Sequence, residues 1–187
     1  MELVALSTDV LNTLAKEDRC LKRMFQGVYP ADRLPRNPNT KVRQAYIVNT
    51  DPAGEPGQHW LGIWTEGNEC EVFDSYGLPL TQYSDPDLHR WWSQWPVIQR
   101  SDTSLQALDS QTCGHYVLFY LKAKARGESL QEFLARWNIN NLVMNDQRVA
   151  EQMTKLIKSE VREMLEKPQD HEQCNCSYQS FLCCQNQ

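Results

Sequence analysis

The chain has 187 residues, 41% hydrophobic and 23% charged, a profile that fits one globular domain with a sizeable core. No apolar run approaches membrane-spanning length, and the start Met1-Glu-Leu-Val-Ala-Leu carries no basic segment, so a membrane or secreted protein is not expected. A net charge of −5 removes any global pull toward nucleic acid.

In chain order, Ser7 can cap a short helix whose Val10, Leu11 and Leu14 share one face. The stretch Gln26 to Asn39 holds three prolines and reads as a loop. Ala45-Tyr-Ile-Val48 is a short apolar run of strand type, and Asp51-Pro-Ala-Gly-Glu-Pro-Gly57 is turn chemistry. Trp60–Thr65 and Glu69–Phe73 read as two strands of a hairpin about Gly67. Ser84-Asp-Pro-Asp87 opens a helix with Leu88, Trp91, Trp92 and Trp95 at helical spacing, an aromatic stripe expected to be core. Pro96-Val-Ile98 begins a further strand. A helix from Cys113 to about Lys124 stops near Gly127. Ser129-Leu-Gln-Glu132 has the capping-box pattern. A long helix from about Asp146 carries Val149, Met153, Leu156, Ile157, Val161, Met164 and Leu165 on one stripe and stops near Pro168.

The expected class is α+β, a central mixed β-sheet flanked by helices, in a single domain over 1–168. Residues 169–187 form a polar, cysteine-rich tail. Seven cysteines, an odd count without disulfide-like spacing, favour free thiols in a reducing compartment. In the tail, His171, Cys174, Cys176, Cys183 and Cys184 include potential zinc ligands. Their Cys-x-Cys and Cys-Cys spacings are not those of paired knuckles, so no metal site is expected.

The chemistry-bearing residues lie in the middle of the chain. In a hairpin about Gly67, facing residues sum to about 133, which sets His59 opposite Asp74 at the open end. There a carboxylate can fix the imidazole tautomer and stabilise its cation; alone, a surface His-Asp pair is the commoner case. Cys113 opens a helix, where unpaired amides and the helix dipole stabilise a thiolate. A neighbouring imidazole would complete a nucleophile–base pair. The blander alternative is a buried structural cysteine; the polar Ser110-Gln-Thr112 before it argues for access. Gly114 leaves room for a substrate carbonyl. An oxyanion needs donors, and the Cys113 amide is one; Gln106 or Gln111 could supply the second.

Together, His59-Trp60, Val72-Phe-Asp-Ser-Tyr-Gly77, Ser104-Leu-Gln106 and Ser110-x-x-Cys113-Gly114 resemble the adenovirus endopeptidase (adenain) family. These are cysteine proteases of the same clan as the ubiquitin-like-protein proteases. Phe25-x-Gly27 and Ala45-Tyr-Ile-Val-Asn-Thr50 are also similar to the family's N-terminal part. The resemblance implies Cys113 as nucleophile, His59 as base, Asp74 as orienting acid and Gln106 as the oxyanion-hole glutamine. It implies Trp60 packing at the site and a papain-like geometry at the N-terminus of a central helix. It further implies cleavage of viral precursor proteins at small, Gly-containing motifs during virion maturation, in the host nucleus and the virion.

Three departures point to a divergent relative. The acid is Asp74, where adenovirus enzymes usually carry Glu and the cellular relatives Asp. The family takes an activating viral peptide, disulfide-linked to a cysteine upstream of the glutamine; between Cys70 and Cys113 this chain has none. The family also uses DNA as a cofactor and is basic, whereas this chain is acidic. The sequence itself requires no cofactor, and a monomer without membrane contact is expected. An isopeptidase acting on ubiquitin or a ubiquitin-like modifier is the alternative within the clan. An acetyltransferase effector ranks below it, because no segment for acetyl-CoA or inositol phosphate is evident.

Overall fold

A computed structural model describes residues 4–166. The expected tail and its boundary at 168 lie outside the described residues. Among those described, one five-stranded sheet runs β1-β2-β3-β4-β5, from Phe25–Tyr29, Gln44–Asn49, Trp60–Glu66, Glu69–Phe73 and Val97–Arg100. The outer pairs are parallel and the inner pairs antiparallel, so the sheet is mixed, as expected. The accompanying helices are α1 (Thr8–Glu17), α2 (Pro86–Trp92), α3 (Cys113–Ala125), α4 (Leu130–Leu134) and α5 (Leu142–Glu166).

The helix starts follow local chemistry. Ser7 Oγ accepts the Val10 amide, and Asp85 accepts the amides of Asp87 and Leu88 with Pro86 in the first turn. Ser129 and Glu132 form a reciprocal capping box.

β2 is buried along its whole length, which requires cover on both faces of the sheet. Ala45, Ile47, Trp64 and Phe73 join α1, α3, α4 and α5 in one core. Tyr46, Val48, Leu61, Ile63 and Val72 join Leu88, Trp91, Trp92 and Trp95 in the other. The tryptophan stripe of α2 is therefore core, and period-two alternation along β2 feeds both layers.

Helix α3 lies directly on β3. A Cβ at Gly62 would stand 3.2 Å from Tyr120 and 3.3 Å from Val117. Glu71 accepts from Lys124 Nζ at 2.8 Å and from the Tyr120 hydroxyl, tying the same helix to β4.

Three local expectations need correction. The hairpin turns over two residues, Gly67-Asn68, with Glu66 paired to Glu69, so Gly62 faces Phe73 rather than Glu71. Gly67 holds φ +60°, the conformation that a glycine in a tight hairpin turn allows. A shift of two residues leaves each side chain on its expected face. The proline-bearing stretch after Phe25 is not all loop, because Phe25–Tyr29 pairs in parallel with β2 through an irregularity between Phe25 and Gly27. Gly27 (φ +143°) hid that strand, and Pro30 bounds it. Helix α5 begins at Leu142, not near Asp146, because Asn141 Oδ1 accepts the Met144 amide and starts the helix a turn earlier.

Candidate active site

His59 immediately precedes β3 and Asp74 immediately follows β4, so the antiparallel pairing brings both to one end of the sheet. His59 Nε2 stands 2.7 Å from Asp74 Oδ1. They are not directly opposed, as the simple hairpin predicts. Continued by one residue, the observed pairing sets Asp74 across from Leu61, and the imidazole reaches it diagonally.

Asp74 is 1% exposed and fully engaged. Its Oδ1 also accepts the Tyr76 amide at 2.8 Å; Oδ2 accepts the Leu78 amide at 2.9 Å and the Tyr83 hydroxyl at 2.6 Å. Burial alone would raise its pKa; the hydrogen bonds and charge of His59, with Tyr83 and Tyr76, outweigh that and hold it below the usual carboxylate value. The backbone is pinned as well. Ser101 Oγ accepts the Asp74 amide at 2.7 Å and donates to the Asp74 carbonyl at 2.8 Å.

His59 stacks on Tyr76 at 4.7 Å and lies nearly parallel to Tyr83 at 6.3 Å. Burial pulls the imidazole pKa down, but the hydrogen bond and charge of Asp74, with the neighbouring Cys113, overcome it and push it up to about 9. With Nε2 committed to Asp74, Nδ1 is the ring nitrogen left free. Nδ1 is buried and takes no hydrogen bond from the described residues.

Cys113 is the first residue of α3, where backbone amides lack intrahelical acceptors. It is 8% exposed. The polar tripeptide before it is less open than its composition suggests, because Thr112 turns inward and donates to Asp146 Oδ1 at 2.7 Å. Gly114 is buried. A Cβ there would meet Trp60 at 3.3 Å and Leu6 and Leu11 at 3.4 Å, so its small size serves the packing of α3 on α1 and β3. Trp60 is partly buried beside this contact.

The two glutamines separate cleanly. Gln111 is exposed, whereas Gln106 is wholly buried. Ser75 Oγ donates to Gln106 Oε1 at 2.7 Å, which orients the amide. Gln106 Nε2 donates to the Ser110 carbonyl at 2.8 Å and to the Tyr76 hydroxyl at 3.2 Å. The arrangement thus combines an oriented imidazole, a thiol at a helix start and a buried, oriented amide. That is the equipment of acyl transfer through a thioester. Among the described residues no group of His, Cys, Asp or Glu converges as a metal site, and no helix is long and apolar enough to cross a membrane.

The fold is similar to that of the ASFV pS273R protease. Its crystal structure matches with a TM-score of 0.53 at 15% identity, over 80% of this chain and 67% of that one. A second crystal structure, of the Se-Met ASFV pS273R protease, has a TM-score of 0.35 at 21% identity, over 61% and 44%. At these identities the likeness concerns the fold. No protein-family model matches the chain, and no curated protein does.

Several residues of the site escape sequence reasoning. Ser75 and Tyr76 stand inside the Val72–Gly77 motif, which hinted at them without indicating a role. Tyr83, Ser101 and Asp146 reach the site from separate segments, and no spacing rule links them to Asp74 or Gln106.

Proposed function

We propose that the chain is a viral cysteine endopeptidase of adenain-like architecture, cleaving virion precursor proteins at small, Gly-containing motifs in the host nucleus and virion. The observation that supports this most is the His59–Asp74 pair, closed through Nε2, with Nδ1 unpartnered and Cys113 acting on the same ring.

In the proposed mechanism His59 Nδ1 takes the Cys113 proton and Asp74 stabilises the resulting imidazolium. The thiolate attacks the scissile carbonyl. The Cys113 amide and Gln106 Nε2 receive the oxyanion, which displaces the longer internal contact from Gln106 to Tyr76. His59 then protonates the leaving amine, and water resolves the thioester. Trp60, next to His59 in sequence, packs against Gly114 at the start of α3. The slight exposure of Cys113 suits substrates that are small at the scissile bond, which glycine provides.

The test is Cys113→Ala with Gly-Gly-containing peptides and a thiol reagent. Cleavage and labelling at position 113 should both vanish. Retained cleavage would sink the assignment. Turnover of modifier conjugates, with peptides untouched, would assign an isopeptidase instead.

A further inference from the structure

Asp146 lies on α5, outside the constellation above, yet it is 1% exposed. A buried carboxylate needs partners, and those of Asp146 share a location. Oδ2 accepts the Ala107 amide at 3.0 Å, and Oδ1 accepts the Thr112 hydroxyl at 2.7 Å. Ala107 follows Gln106, and Thr112 precedes Cys113. One carboxylate therefore ties the residues adjoining both proposed oxyanion donors. The Tyr116 hydroxyl, one turn into α3, lies 3.1 Å from Oδ1 and 3.1 Å from the Leu105 carbonyl. Asn145 Nδ2 donates to the same carbonyl at 3.2 Å. The segment between Gln106 and Cys113 includes Leu108, which is 89% exposed, so little packing restrains the middle of the loop.

We propose that Asp146 is a positioning residue that sets the spacing between the Gln106 amide and the Cys113 backbone N–H, and so shapes the oxyanion hole. This rests on the protease reading, because it presumes that an oxyanion forms between those two groups. The physical need is plain: oxyanion stabilisation requires donors within hydrogen-bond reach of one developing charge, and small misplacements cost large factors in rate. Two donors seven residues apart, joined by a polar loop that the hydrogen bond from Gln106 to the Ser110 carbonyl also spans, hold that geometry better when both ends share a rigid anchor. Helix α5, whose Val149 and Met153 lie in the core, supplies a rigid one.

The test compares Asp146→Ala, Asp146→Asn and Thr112→Val in the full chain. The asparagine can turn its oxygen to the Ala107 amide and donate through nitrogen to the Thr112 and Tyr116 oxygens, so it should preserve the anchor. Alanine removes the anchor, and Thr112→Val cuts the Thr112 hydroxyl from Asp146, and from its neighbour Ser110 Oγ, without opening a cavity. The readouts are kcat and KM on a Gly-Gly-containing peptide, affinity for the matching peptide aldehyde, and the rate of Cys113 alkylation by iodoacetamide. The aldehyde adduct places an oxygen in the oxyanion hole; alkylation needs none.

Asp146→Ala and Thr112→Val should lose on the order of 10- to 100-fold in kcat and as much in aldehyde affinity, with KM and alkylation little changed. Asp146→Asn should stay near wild type. Equal losses in alkylation and turnover, or unchanged kcat in Thr112→Val, would overturn the proposal. A wild-type chain that is alkylated at Cys113 and binds the aldehyde but cleaves no peptide would refute the protease reading while still testing Asp146 by aldehyde affinity.

Discussion

At His59 two effects oppose one another. Removing the ring from water disfavours its cation, and an engaged carboxylate 2.7 Å away favours it. The carboxylate and Cys113 win, and the pKa rises from 6.5 to about 9. The sign for stability follows from linkage. A group whose folded pKa exceeds its unfolded value contributes fully below about pH 6.5, and that contribution is lost as pH rises through about 9. The unfolding midpoint should therefore fall between those values on account of His59. On the proposed protease reading, the alkaline limb of kcat/KM should stand near pH 9, where the imidazolium that would protonate the leaving amine disappears. Asp74→Asn should move that limb to lower pH, because the carboxylate is a main cause of the rise. A limb unmoved by Asp74→Asn would show that the pair does not set it. Replacing an orienting acid in this way also costs on the order of 10⁴-fold in kcat in a comparable triad.

Among elements, the turn after β4 carries the most constraint for its length. Gly77 adopts φ +67°, and a Cβ there would lie 2.7 Å from the Thr103 backbone. Its amide donates to the Asp74 carbonyl at 3.0 Å, so the turn, the 102–103 backbone and the acid form one unit. Gly77→Ala should cost about 2 kcal/mol or more through strain and contact. Thermal melting should show this as a fall of about 4–8 °C in Tm, accompanied by reduced activity. An unchanged Tm would mean that the 102–103 segment yields freely. Local signals served well where chemistry was local: Ser7, Asp85 and Ser129 each start a helix from their own side chains. They failed at β1, where Gly27 weakens the strand signal and pairing with β2 makes the strand. They failed again at the start of α5, where an asparagine cap outside the apolar stripe sets the first turn.

On the scale of the whole molecule, the sheet separates two cores, and each has its own aromatic cluster. Phe133 meets Phe73 at 5.3 Å and Tyr120 at 5.7 Å on the α3 side; Trp91 meets Tyr46 at 5.7 Å on the α2 side. Phe133→Ala and Trp91→Ala should each cost about 3–5 kcal/mol. Because β2 and β3 serve both cores, each variant should still melt in one transition, coincident by far-ultraviolet circular dichroism and tryptophan fluorescence; two separate transitions would show that the cores unfold independently. The residue pattern alone carried the α+β class, the hairpin, the buried tryptophan stripe and the polar loop leading to Cys113. Period-two and period-3.6 burial and capping chemistry act over a few residues, so they are written locally. Meetings across the chain were decided only in three dimensions. The two-residue turn displaced the His59–Asp74 pairing to a diagonal. Burial set Gln106, which the resemblance had singled out, apart from the exposed Gln111. Tyr83, Ser101 and Asp146 came to the site from distant segments. Such contacts depend on how helices and sheet pack, and packing is a property of the assembled chain, with no counterpart in the spacing of its letters.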